Sequence, residues 1–108
     1  MAGCYSNWCL PKRRILEEQY LGALSELAHW CGDKGSYDQA LELCEKVLQK
    51  DSYREEMYRL MMRCYSLLGQ LSRVTQVYQR CATVLDEELG IEPAAETVAL
   101  YQELMADQ

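Results

Sequence analysis

The 108-residue sequence predicts an all-α fold of about five helices, arranged as stacked antiparallel pairs in an α-α superhelix. Three observations predict it. First, two stretches match at an offset of 34 residues: Leu24, Leu27, Ala28, Cys31, Gly35, Ala40, Cys44 and Val47 against Tyr58, Met61, Met62, Tyr65, Gly69, Val74, Tyr78 and Cys81. Second, apolar residues recur at spacings of three and four through most of the chain, the period of a helix with one buried face. Third, no segment alternates apolar and polar residues with the period of a strand.

A period of 34 residues is that of the tetratricopeptide unit, two antiparallel helices joined by a tight turn. Such units stack to bury a shared core and leave a curved surface on which something else can bind. Residues 1–11 are expected to be irregular, given Gly3, Ser6, Asn7 and Pro11, with Trp8 as a single large anchor on the first helix. Residues 12–108 then form a single domain. The first helix is predicted from about Lys12 to Cys31, with Leu16, Tyr20, Leu24, Leu27, Ala28 and Cys31 facing inward and Gly32 and Gly35 ending it. The second opens at Ser36, with Gln39 completing a capping box, and buries Ala40, Leu41, Cys44, Val47 and Leu48.

Ser52 and Glu55 predict a second capping box at the start of the third helix, which turns Met57, Tyr58, Met61, Met62, Tyr65 and Leu68 inward and stops near Gly69. The fourth helix is predicted from about Ser72 to Leu89 on the face Val74, Val77, Tyr78, Cys81, Val84 and Leu85. Gly90 caps it, with Ile91 placed for the apolar contact of a Schellman ending. Pro93 suits the first turn of a fifth helix, where its missing N–H costs nothing. Thr97, Leu100, Tyr101 and Leu104 repeat the spacing that opens the other units, shifted by five residues. Ala28, Ala40 and Ala82 mark expected close approaches between helices.

The composition excludes several classes of function. A net charge of −6 from 11 basic and 17 acidic residues argues against direct nucleic-acid binding, because phosphate contacts need a concentrated basic face. The one basic run, Lys12-Arg13-Arg14, reads as a solvated helical turn. Cys31, Cys44 and Cys81 of the 6 cysteines fall on apolar helix faces, where a free thiol behaves as a small hydrophobe and a reducing cytoplasm is expected. Cys4 and Cys9 are expected to be the easiest to oxidise. No metal, no cofactor and no membrane contact are expected: there is no CxxC pair, His29 is the only histidine, and no apolar run is long enough to span a bilayer. His29 has no recognisable nucleophile beside it and there is no phosphate-binding loop, so an enzyme is not expected.

From Trp8 to Leu104 the chain resembles the bacterial transcriptional activator domain, the tetratricopeptide-like module of antibiotic-regulatory transcription factors. The resemblance lies in Tyr20-x-x-x-Leu24-x-x-Leu27-Ala28, Gly35-x-Tyr37-x-x-Ala40-Leu41 and Asp51-x-x-Arg54-Glu55-x-x-Tyr58-Arg59-Leu60-Met61-Met62. It continues in Tyr78-x-x-Cys81-x-x-x-Leu85-x-x-Glu88-Leu89-Gly90-x-x-Pro93 and Thr97-x-x-Leu100-Tyr101. The Asp-x-x-Arg-Glu and Glu-Leu-Gly-x-x-Pro blocks are its specific parts. The resemblance implies a non-catalytic regulatory module of a larger bacterial regulator, which self-associates or contacts neighbouring domains and RNA polymerase. Family members usually carry a winged-helix DNA-binding domain just before this module, and none is expected within this chain. The alternative is a free-standing adaptor that binds an acidic peptide in its groove.

In helical pairs of this kind the first helix of each pair lines the concave side. That projection places Ser25, His29, Glu56, Arg59, Arg63 and Ser66 there as candidate partner-binding residues. Arg59 and Arg63 share one face, and arginine suits bidentate recognition of a carboxylate. The competing expectation is that they pair internally with Glu55, Glu56 or another acid. A homodimer is expected on separate grounds, because an open end of the repeat stack must be covered.

Overall fold

A computed structural model describes the backbone of residues 2–106 and the side chains of residues 15–106. Five helices follow one another: α1 (Ala2–Asp33), α2 (Tyr37–Lys50), α3 (Glu55–Leu67), α4 (Leu71–Leu89) and α5 (Ala95–Ala106). There is no strand among the described residues. α1 packs on α2 and α3 on α4 as antiparallel pairs, α2 joins the pairs by packing on α3, and α5 lies against both α3 and α4. The predicted all-α repeat is therefore the observed fold.

The 34-residue period is visible in the turns. At the end of α1 the N–H of Ser36 donates to the Cys31 carbonyl at 2.8 Å and that of Gly35 to Gly32 at 3.2 Å. At the end of α3 the N–H of Gln70 donates to Tyr65 at 2.8 Å and that of Gly69 to Ser66 at 3.0 Å. These are the same two bonds of a Schellman ending, moved by one period. Each needs a left-handed residue, and Gly35 (φ +86°) and Gly69 (φ +77°) supply it. Gly90 (φ +65°) ends α4 differently. There Ile91 donates to Leu85, six residues back, and the Ile91 side chain stays half exposed instead of closing the expected apolar contact.

Several expectations are corrected. α1 starts at Ala2, so the segment 1–11 is helical from its second residue and not irregular. Pro11 lies inside that helix and removes one backbone donor from it. The Trp8 anchor and the oxidation of Cys4 and Cys9 fall outside the described side chains. Gly32 does not end α1. It lies within the helix, where an added Cβ would sit 3.2 Å from Leu60 Cδ1, and its function is to let α3 approach. Neither predicted capping box forms: Ser36 makes no side-chain cap bond, and α3 starts at Glu55 behind Arg54. Pro93 precedes α5 by two residues instead of sitting in its first turn.

The core runs through all five helices. It includes Leu21, Ala28 and Cys31 of α1, Ala40, Cys44 and Val47 of α2, and Tyr58, Met61, Met62 and Cys64 of α3. Val74, Cys81 and Leu85 of α4 and Leu100 of α5 complete it. Tyr58 is fully buried yet satisfied, its hydroxyl donating to the Ser52 carbonyl at 2.9 Å. The guanidinium of Arg80 lies 5.7 Å from the Tyr58 ring centroid and pairs with Glu45 of α2. Leu16, Tyr20 and Leu27 of α1 and Leu68, just past the end of α3, predicted to face inward, are exposed. For α1 the reason is positional: among the described residues no helix packs on that face, which α2 covers one period later on α3.

Candidate functional site: the groove between the third and fifth helices

The Asp51-Arg54-Glu55 block shapes the concave side, and each residue acts at a different range. Asp51 Oδ1 accepts the Tyr53 N–H at 3.3 Å, which fixes the turn before α3. Arg54 Nε donates to Asp51 Oδ2 at 3.1 Å, Nη1 to Glu56 at 3.5 Å and Nη2 to Glu18 of α1 at 2.8 Å. One guanidinium thus joins the turn, α3 and α1, as its five fixed donors allow.

Glu55 reaches across to α5. Its Oε2 accepts the N–H of Ala94 at 2.9 Å and the hydroxyl of Thr97 at 2.7 Å. A carboxylate at the N-terminus of α5 also meets the positive end of that helix. Thr97 is fully buried, and its hydroxyl oxygen accepts a bond from Arg59 Nη1 at 2.9 Å. Arg59 Nη2 lies 3.7 Å from Glu96. Glu55 and Arg59 therefore clasp the first turn of α5 from one helical face of α3.

That clasp redistributes the six candidate residues. Ser25 is buried, and its hydroxyl donates to the Leu21 carbonyl one turn back at 2.8 Å. His29 Nε2 and Glu56 Oε2 stand 3.9 Å apart, linking α1 to α3. Arg59 is used internally. Arg63 is exposed, and among the described residues no carboxylate lies within ion-pair distance of it. Arg63 and Ser66 line an open groove with Leu67, Leu100, Glu103 and Leu104. Arg63 and Ser66 are thus brought together at this groove, and His29 and Glu56 at a separate, partly exposed place between α1 and α3. Glu55, Arg54 and Thr97 were not singled out as concave-face residues, although the motif block contains the first two.

Buried nucleophiles are chemically quiet. Burial pushes the thiol of Cys44 up to about 12. Burial also raises Cys64 to about 11 and, with Glu55 nearby, Cys81 to about 12. At neutral pH these groups are thiols, not the thiolates that attack or bind metal. No group of three His, Cys, Asp or Glu side chains among the described residues is placed to hold a metal ion.

The fold and groove define a class: a helical-repeat domain whose polar motif residues lock its own helices together. Residues 2–105 match the family described as the bacterial transcriptional activator domain, and the chain belongs to that family. It is similar to the transcriptional regulatory protein MoaR1 of Mycobacterium tuberculosis, with 30% identity over 92 residues that cover 85% of this chain and 30% of the relative. It is also similar to the transcriptional regulator RedD of Streptomyces coelicolor, with 26% identity over 98 residues covering 91% of this chain and 28% of RedD. The chain spans less than a third of the length of these relatives. No solved structure matches it at a significant level. The family is one of transcriptional regulators, and no described helix is long and apolar enough to cross a membrane.

Proposed function

We propose that this chain is the protein-contact module of a bacterial transcriptional regulator and that it acts by binding, not by catalysis. Its contacts are with neighbouring domains of the parent regulator or with the transcription machinery, and the DNA is read elsewhere in that protein. The observation that carries the reading is the division of labour between two arginines one helical turn apart. Arg59 is used to hold α5, whereas Arg63 projects into the groove beside Ser66, Leu67, Glu103 and Leu104 and makes no ion pair among the described residues. A cation and a hydroxyl framed by leucines suit an extended or helical segment that carries an acid among apolar residues.

The test is Arg63→Glu introduced into the complete regulator. Transcription from its target promoter is expected to fall about tenfold, the scale of one lost charge-assisted contact, while the thermal midpoint of the 108-residue domain is unchanged. Full transcription from the charge-reversed protein would sink the assignment of the groove. Arg59→Glu is unsuitable for this purpose, because it would release α5 as well.

A further inference from the structure

α2 and α4 both pack on α3 but not on each other, so the stack leaves a cleft between them. Its apolar lining is Met61 and Tyr65 of α3 with Val77 of α4, on the face of α3 opposite Arg63. One ion pair bridges the cleft: Arg80 of α4 to Glu45 of α2, with the Arg80 guanidinium seated over the Tyr58 ring. Arg73 lines the same cleft two helical turns before Arg80, with Gln76 between them. The space measures about 270 Å³, just under the ~300 Å³ at which small-molecule sites begin. Its occupant is therefore a small metabolite.

The two walls carry opposite charge. Asp38, Glu42 and Glu45 follow one another on α2 at spacings of four and three, whereas α4 presents Arg73 and Arg80. Arg80 is already neutralised, and its hydrogen bond to Glu45 uses Oε1 alone, so Oε2 keeps its lone pairs for another donor. Arg73 is exposed, and among the described residues no carboxylate lies within ion-pair distance of it. It also stands in the first turn of α4, where the positive end of the helix disfavours a cation and no acid of that turn offsets it. The fold gains nothing from a guanidinium at that position.

We propose that this cleft binds a small zwitterion, a free α-amino acid with an apolar side chain. Arg73 takes the carboxylate, which its forked donors match, and the Gln76 amide adds a further donor. Glu45 takes the ammonium, and the side chain lies on Met61, Val77 and the Tyr65 ring. A simple anion would face the carboxylates of α2, and a simple cation would face Arg73. A ligand with both charges meets each wall with its opposite. Bound there, it ties α2 to α4 beside the one existing bridge and stabilises the stack by mass action.

This inference goes beyond the protein-contact reading and uses the other face of α3, so it stands or falls apart from the transcription test. Titration calorimetry of the 108-residue chain with L-phenylalanine, L-leucine and L-methionine is expected to show one-to-one binding of at least one of them, with a Kd of about 0.1–1 mM. The same side chain without its ammonium or without its carboxylate (3-phenylpropanoate and 2-phenylethylamine for phenylalanine) is expected to bind at least about tenfold more weakly. Arg73→Gln, at an exposed position, is expected to weaken the amino acid by about tenfold or more with an unchanged circular dichroism melt, whereas Arg63→Glu leaves its affinity as it was. Absence of saturable binding by all three amino acids up to about 10 mM overturns the proposal. An analogue that binds as tightly as its parent overturns it too, and so does full affinity in the Arg73→Gln chain.

Discussion

At the C-terminal end of the stack Leu100 is 9% exposed, Thr97 is fully buried, and Tyr101 stacks on Tyr78 with centroids 4.2 Å apart. At the N-terminal end five large apolar side chains of α1 remain 45–58% exposed. Both ends face the same problem, since a repeat unit cannot bury its outer face without a neighbour. α5 solves it at one end as half a unit: its Leu100 and Thr97 close the core, and its Tyr101 hydroxyl lies 3.2 Å from Thr75 of α4. At the other end no described helix covers the outer face of α1, and its apolar side chains stay exposed.

A pair of truncations measures this difference most directly. Leu100→Ala removes a side chain from the closed end and is expected to cost about 2–5 kcal/mol, transfer and cavity terms together. Leu27→Ala removes the same atoms from the open end and is expected to stay within about 0.5 kcal/mol in dilute solution, as for other exposed positions. Urea denaturation at low protein concentration gives both values. Equal losses would mean that α1 is covered within the monomer, and the contrast between the ends would be gone.

The clasp on α5 is the next place to press. Glu55→Ala leaves the buried hydroxyl of Thr97 and the N–H of Ala94 without their acceptor, which is expected to cost about 1–3 kcal/mol. Glu55→Gln keeps an acceptor in the same place and is expected to recover more than half of that. Hydrogen exchange at the first turn of α5 reads out the same change locally, because that turn opens first when its cap is lost. Equal destabilisation by alanine and glutamine would assign the loss to charge and not to the missing acceptor.

What was legible in the sequence follows the same division. The helices of the two full pairs were readable because every turn repeats a local rule: apolar spacing inside, and a glycine one period apart at Gly35 and Gly69. The inward stripe assigned to α1 was half wrong. Leu16, Tyr20 and Leu27 have helical spacing, but periodicity shows that a face is apolar and not what lies against it. Ser52 and Glu55 carry the spacing of a capping box, yet Glu55 serves the N-terminus of a helix 39 residues away. Local pattern and tertiary use look alike in one sequence when the same carboxylate suits both. Arg59 and Arg63 differ for a similar reason. They are equivalent on a helical projection, and only the docking of α5 separates the one that holds the fold from the one left in the groove.

The smallest effect concerns how the open end is tied down. α1 is joined to the second pair by packing of Gly32 against Leu60 and by the ion pair from Glu18 to Arg54. Glu18 is largely exposed, and exposed pairs contribute about 0.2–1 kcal/mol. Arg54 also keeps Asp51 and Glu56 when Glu18 is removed, so no buried charge is stranded. Glu18→Gln is therefore expected to cost less than about 1 kcal/mol, and the difference from wild type should fade toward 1 M salt as screening shortens to about 3 Å. A larger loss that persists at high salt would show that α1 depends on this tie and not on its packing. The exposed face of α1 would then sit on a helix free to swing instead of one held rigid by its packing on α2 and α3.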